Sequence, residues 1–379
     1  MRSFVLKWGC LALLATGTAL LFAGPAAATG SPVVAHVYVN DNTAKNNTVA
    51  GFDRHADGTL TALPGSPFAA GGAGSGSGLS SQGAIQVTGD GRYVLAVDAG
   101  SNQISVLRIE NDGALKRVHV VSSAGTEPVS VAEHKGLVYV ANAGTGGSNY
   151  TGFRLTTDGS LLPLSDSTFA LPDGSQPGDV LFNSTGRNLV GTRIGTSEID
   201  SFTVESDGRL DAATGSPFPA QGVGPFGSEF RPTNPGQLFV SNAHNTGEHS
   251  GTVSAFRLNS DGVLFSIGAS PFADSQTAPC WVEISHDGNF LFTVNTGSGS
   301  VSRYKIAMSG SLHLLGSTQL STSNAGAVDA RLSADGRNLY VDQSKADSVA
   351  ELAVSGGALT EVGTVPLPAG AAPAGIAVN

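Results

Sequence analysis

The chain has 379 residues, with 20 basic against 30 acidic side chains and a formal net charge of −10; only 13% of residues are charged and 51 are glycine. An acidic chain with no basic cluster is a poor polyanion binder, which excludes DNA and RNA as expected partners. Low charge and abundant glycine predict many short strands joined by tight turns, in one domain longer than usual.

The N-terminus reads as a targeting segment. Arg2 and Lys7 give a short positive region, an apolar stretch runs from Trp8 to Phe22, and Ala26-Ala27-Ala28 offers small residues for cleavage. This predicts a secretory signal peptide over residues 1–28 and a mature domain over 29–379, placed in the periplasm or outside the cell. The apolar run is too short for a good spanning helix and no later segment is long enough, so no membrane span is expected. Cys10 falls in the leader, leaving Cys280 alone; no intrachain disulfide is expected and packing must supply the stability.

The mature chain repeats. A small-Gly-x-Leu turn recurs at Gly58, Gly113, Gly159, Gly208, Gly262, Gly310 and Gly357, with steps of 55, 46, 49, 54, 48 and 47 residues. Each unit reads as an apolar strand such as Pro128-Val129-Ser130-Val131, a turn that is often Asp-Gly (Asp90-Gly91, Asp287-Gly288, Asp335-Gly336), and an alternating strand such as Val138-Tyr139-Val140-Ala141-Asn142. A third strand follows, for example Ile104 to Ile109, and the glycine turn leads into a fourth, which in three copies ends in Ser-Pro-Phe from Ser66, Ser216 and Ser270. Four short antiparallel strands per repeat, seven times over, predict an all-β fold, a seven-bladed β-propeller. His36 to Asn40 matches a second strand with no first strand before it, and Pro373 to Val378 matches a first strand with no blade behind it. Pairing the N- and C-terminal strands in one blade would close the ring. The Gly/Ser stretch from Gly71 to Gly83 reads as a flexible loop between blades.

The chain resembles the propeller lactonases, the group of 6-phosphogluconolactonase-like and carboxymuconate cyclase-like proteins. The residues that carry this are Asp90-Gly91-Arg92-Tyr93 with Asp98-Ala99-Gly100-Ser101-Asn102, Cys280-Trp281-Val282 before Asp287-Gly288, and Asp335-Gly336-Arg337-Asn338-Leu339-Tyr340-Val341. The resemblance spans essentially the whole mature chain and implies a hydrolase or ring-closing enzyme acting on a small molecule. Members tend to place histidines where a first strand enters the channel; the matching segments here, Ser81-Gln82-Gly83-Ala84 and Gln176-Pro177-Gly178-Asp179, have none.

A repeat supplies its own reference, so residues that break its pattern are candidates for function. The second strands end in Asn40, Asp98, Asn142, Arg193, Asn242, Asn295 and Asp342. Asn and Asp suit a turn that needs local hydrogen bonds, and Arg193 does not; it is either an anion or carbonyl clamp or the partner of a neighbour such as Glu198. Two residues on, His244 breaks a column of small and polar residues, as a rim acid or base or as part of a solvated loop with Glu248 and His249. In the first strands, one column reads Gln86, Ala132, Leu181, Glu229, Glu283, Arg331 and Ala377. Glu229, Glu283 and Arg331 form either a water-activating carboxylate pair held by an arginine or a structural ion-pair network. Two residues earlier, Asp179, Trp281 and Asp329 are candidate substrate-binding positions.

The chain lacks a G-x-S-x-G elbow, a phosphate-binding loop and a paired-cysteine metal knuckle, so no cofactor and no metal are expected. The expected function is a secreted lactonase-like hydrolase or related cycloisomerase acting on a small lactone or carboxylate in the channel. Arg193 would polarise a carbonyl, Glu229 or Glu283 would activate water, Arg331 and Asp329 would position them, and His244 would serve as an acid at the rim. The alternative is a non-catalytic binding or interaction propeller. Nothing in the sequence sets an oligomeric state.

Overall fold

A computed structural model describes Met1 and residues 30–322 and 326–379. The chain divides into the units Met1–Ser31 and Pro32–Asn379. The expected signal peptide lies, apart from Met1, outside the described residues, and everything below concerns the second unit.

Among the described residues, thirty-two short strands form seven antiparallel sheets. Each runs from an inner strand at the axis to an outer one, as in Pro279–Ile284, Phe290–Asn295, Ser300–Ile306 and Leu312–Gln319. We number the blades 1 to 7 from the one that holds Val33–Asn40. Second strands such as Leu137–Asn142 are buried along their whole length, because both faces pack on neighbouring blades; this is why they read as apolar runs. Outer strands such as Leu312–Gln319 alternate buried and accessible residues, since one face meets solvent.

The turn glycines are required by conformation. All seven have φ between +78° and +95°, where a β-carbon is strained. At Gly58 a β-carbon would also lie 2.0 Å from Asn338 Nδ2. Several of these turns receive a hydrogen bond from the preceding blade: the hydroxyls of Tyr38, Tyr139 and Tyr340 donate to the carbonyls of Gly113, Gly208 and Gly58 at 2.8, 2.9 and 2.9 Å. The Ser-Pro-Phe segments interrupt the outer strand, which resumes as a two-residue strand. At the break Ser66, Ser216 and Ser270 accept a third-strand amide, and Ser167 does the same in blade 3 without a proline.

The ring closes as the sequence predicts. Ile376–Val378 is the inner strand of blade 1 and pairs with Val37, Tyr38 and Val39. Among the described residues no helix is long and apolar enough to cross a membrane.

Two strand ends differ from the sequence-based column. Gln343, not Asp342, pairs with the start of the third strand in blade 7, and Asp41, not Asn40, does so in blade 1. The column one residue earlier therefore contains Asn40, Thr192, Ser241 and Asp342. Its first three members donate to carbonyls of the next blade's inner strand, at Ala84, Phe226 and Cys280.

Candidate active site

Alternate residues of a strand share a face, so each inner strand presents two residues in succession to the axis. Blade 6 gives Trp281 and Glu283, blade 7 gives Asp329 and Arg331, and blade 4 gives Asp179 and Leu181. The predicted first-strand column is confirmed in register. Gln86, Ala132, Glu229, Glu283 and Arg331 pair with Leu95, Tyr139, Phe239, Phe292 and Tyr340, each three residues before its second strand's end.

The segment Ser81–Gly83 crosses the channel. The Gln82 amide donates to Gly178 O at 2.9 Å in blade 4, its side-chain nitrogen donates to Ser228 O at 2.9 Å in blade 5, and its Oε1 accepts from Val282 N at 2.9 Å in blade 6. Ser81 Oγ donates to Val129 O, and Trp281 Nε1 donates to Ser81 O at 2.7 Å. Gly83, with φ +78°, donates to Asp329 and accepts from Val131. The expectation of a flexible loop over Gly71–Gly83 is thereby corrected. Its glycines and serines are short so that backbone can approach other backbone; a β-carbon on Gly74 would sit 2.2 Å from the carbonyl carbon of Asn42.

Past this plug lies an acidic chamber, meaning the cluster of Asp179, Glu229, Glu283 and Asp329 around Arg331. Arg331 Nη1 meets Glu283 Oε2 at 3.2 Å, and Glu283 Oε1 accepts from Leu332 N at 3.4 Å. The Arg331 side chain keeps 30% of its exposure and Glu229 is half-buried, so the chamber retains solvent access. Asp179 accepts from Ser228 through both amide and hydroxyl, at 3.0 and 2.6 Å, and from Ser130 Oγ at 3.3 Å. Asp329 accepts from Ala330 N at 2.8 Å and Gly83 N at 3.3 Å.

Four carboxyls thus share one guanidinium among the described residues. Burial pushes all four carboxyls upward, Asp179 to about 7 and Asp329 to about 6. Glu229 is raised well above the usual range by burial and then by the Glu283 charge; Glu283 is raised by burial, against the opposing pull of Arg331. Burial disfavours the Arg331 charge, but Glu283, Asp329, Glu229 and Asp179 outweigh it and hold the guanidinium protonated. Near neutral pH such a group contains both ionised and protonated carboxyls, the arrangement that general acid–base chemistry needs.

The other expected site residues go elsewhere. Arg193 is 5% exposed and locked in a fork on Asp200, with Nε–Oδ2 2.6 Å and Nη2–Oδ1 2.5 Å, and Glu198 lies at 3.3 Å. It is not a free clamp facing the channel. Asp98 with Ser105 and Asn295 with Ser302 make the same seven-residue contact in other blades, so Arg193 and Asp200 place an ion pair where blade 6 has the neutral pair Asn295 and Ser302. Asp179 and Asp329, expected as substrate contacts, are 2% and 0% exposed and satisfied by backbone and serine donors; they shape the chamber from behind. His244 is exposed, in a loop apart from the carboxyls. Among the described residues no group of three or more His, Cys, Asp or Glu side chains is placed to hold a metal ion.

His244 and Trp281 instead line a pocket of about 330 Å³ at the channel mouth, on the other side of the plug, together with Leu79, Phe226 and Val328. Cys280 is at its wall, and burial pushes its thiol up to about 12, so it is a neutral small residue there. Two further residues do not break the pattern of any sequence column. Gln82 bridges blades 2, 4, 5 and 6. Asp342, fully buried, has both carboxylate oxygens without a hydrogen-bond partner, and its carboxyl is raised well above the usual range by burial and then by Asp329.

The family model described as lactonase, 7-bladed β-propeller, matches residues 31–176 and 121–323. No curated protein matches the chain. Among solved structures, a candidate 6-phosphogluconolactonase from Bacteroides uniformis superposes with a TM-score of 0.70 at 19% identity, covering 91% of this chain and 99% of that one. The periplasmic gluconolactonase of Pseudomonas aeruginosa gives 0.71 at 18% identity, covering 91% and 98%. A protein from Lactobacillus plantarum gives 0.71 at 18%, covering 91% and 99%. At these identities the likeness speaks to the fold.

Proposed function

We propose, for a chain that belongs to the seven-bladed β-propeller lactonase family, a secreted enzyme that opens or closes a small lactone ring in the acidic chamber of its channel. The observation that carries this is the convergence of Glu229, Glu283, Asp179 and Asp329 on Arg331, with solvent access at Arg331 and Glu229. In the hydrolytic direction an ionised Glu283 takes a proton from water as the water oxygen attacks the lactone carbonyl. Arg331 stabilises the oxygen on which negative charge develops. The ring C–O bond then breaks and a protonated Glu229 supplies the proton to the leaving oxygen, giving a hydroxy acid. Asp179 and Asp329 are positioning residues, and Arg193 takes no part. The test is hydrolysis of a lactone panel by the purified protein, alongside Glu283→Gln and Glu229→Gln. Each substitution is expected to lower kcat by about 100-fold or more; full activity in both overturns the assignment.

A second possibility is a propeller that binds without turnover. The plug favours it, because Ser81–Gly83 stands between the mouth and the carboxyls. It predicts saturable binding of a small molecule with no hydrolysis of any lactone in the panel.

A further inference from the structure

We infer that the mouth pocket is a binding site in its own right, for a small uncharged aromatic molecule, distinct from the acidic chamber and independent of whether the chamber is catalytic. Its walls come from the start of four inner strands and from the segment leading into the plug. Trp281 and Phe226 meet edge to face, with ring centroids 5.0 Å apart and planes at 66°. That contact forms a packed aromatic corner, with Trp281 5% and Phe226 3% exposed, against whose edges a ligand ring can pack. Leu79 and Val328 complete the apolar lining.

The corner is held before any ligand arrives. The indole is pinned by its Nε1–H bond to Ser81 O at 2.7 Å, and Ser81 is in turn tied by its hydroxyl to Val129 O at 2.8 Å. A rigid aromatic wall loses little entropy on binding. At about 330 Å³ the pocket is at the lower end of the size of small-molecule sites. It is roomier than the ~150 Å³ apolar cavity that takes up benzene.

The charge of the ligand is set by what is missing from the walls. Among the described residues that line the pocket, none is Asp, Glu, Lys or Arg. A phosphate or carboxylate would lose its hydration there with no counter-charge to replace it, a cost of several kcal/mol. The available polar groups are the Ser80 hydroxyl, the Thr296 hydroxyl as an acceptor, since it donates to Ala327 O at 2.9 Å, and the His244 ring at the rim. These suit one hydrogen-bonding edge on an otherwise apolar ring.

The experiment is calorimetric titration of the full chain with indole and with coumarin, against gluconate and inorganic phosphate. Indole and coumarin are expected to bind with a Kd on the order of 0.1 mM, and the two anions at least tenfold more weakly. Val328→Asp places a carboxylate in the wall at a side chain that is already half-buried, and is expected to weaken the aromatic probes by about tenfold or more. Should that variant unfold, Phe226→Leu keeps an apolar side chain but removes the ring edge, and is expected to weaken them by about threefold or more. Equal affinity for gluconate and indole overturns the inference, as does a Phe226→Leu protein that binds indole unchanged.

Discussion

The mouth pocket and the acidic chamber share inner strands, and in blade 6 Trp281 and Glu283 stand two residues apart on one face, yet the two regions have opposite character. At the mouth Trp281 is packed and pinned, and none of the described lining residues is Asp, Glu, Lys or Arg. One step deeper, Glu283 meets Arg331 within a group of carboxyls that cannot all be ionised together. A repeat fold makes this division economical. Backbone register fixes where each position points, so a change of residue type alters chemistry without moving the scaffold. The plug keeps the two environments apart, and Gln82 does so with polar atoms that are each satisfied by a different blade.

The contrast is broken most severely by Arg331→Met. The chamber then has carboxyls and no cation, and stability is expected to fall by about 3 kcal/mol at pH 8. The loss should shrink at pH 5, because carboxyls that lose their partner take up protons instead. Urea unfolding at the two pH values measures this; an equal loss at both would mean that the guanidinium does not balance these carboxyls.

A smaller effect sharpens the boundary of the chamber at Asp342, where three other blades place a donor to the next inner strand. The folded protein holds this carboxyl protonated, since burial raises it, whereas the unfolded chain releases the proton in the ordinary carboxylate range. Its contribution is therefore fully present below that range and declines as pH rises. Asp342→Asn, which keeps a donor of the kind Asn40 provides, is expected to raise stability by on the order of 1 kcal/mol at pH 8 and to change little at pH 4. Thermal unfolding across that interval would show a gain that grows with pH; a gain of the same size at both ends would refute the protonated state.

The smallest effect is expected outside both regions. Arg193→Asn combined with Asp200→Ser restores the neutral pair seen at Asn295 and Ser302. The double variant should lie within about 1 kcal/mol of the parent and keep its activity, while Arg193→Asn alone leaves Asp200 buried without its cation and costs about 3 kcal/mol. Lost activity in the stable double variant would return Arg193 to the chemistry.

The glycine turns made the propeller legible in the sequence, because φ near +90° leaves glycine little competition, and seven such turns at even spacing set the blade count. The first-strand column was legible for the same reason: Glu229, Glu283 and Arg331 stand where other blades have mostly apolar residues. Arg193 also broke its column, but its compensating partner did too. Asp200 lies two residues beyond Glu198, the cross-strand neighbour of Arg193, and therefore on the same face. Only the register of the hairpin shows that two exceptions cancel. The plug was hidden by composition, since Gly and Ser serve equally for a mobile linker and for backbone packed against backbone. Asp342 was hidden by a strand end displaced by one residue, which exchanged an apparent turn residue for one facing the next blade.

The closing strand also has a consequence for the order in which the molecule assembles. The bond from His36 N to Asn379 Oδ1 joins residues 343 positions apart. Bringing together chain ends at that separation costs about 5 kcal/mol of loop entropy if nothing between them is yet folded, and far less once the intervening blades have shortened the path. Blade 1 is then expected to acquire its inner strand last, after hairpins from the other six have formed locally. In that order of assembly Val37 to Val39 would present an unpaired apolar edge until closure, and the lifetime of that edge would set how long the chain is open to self-association.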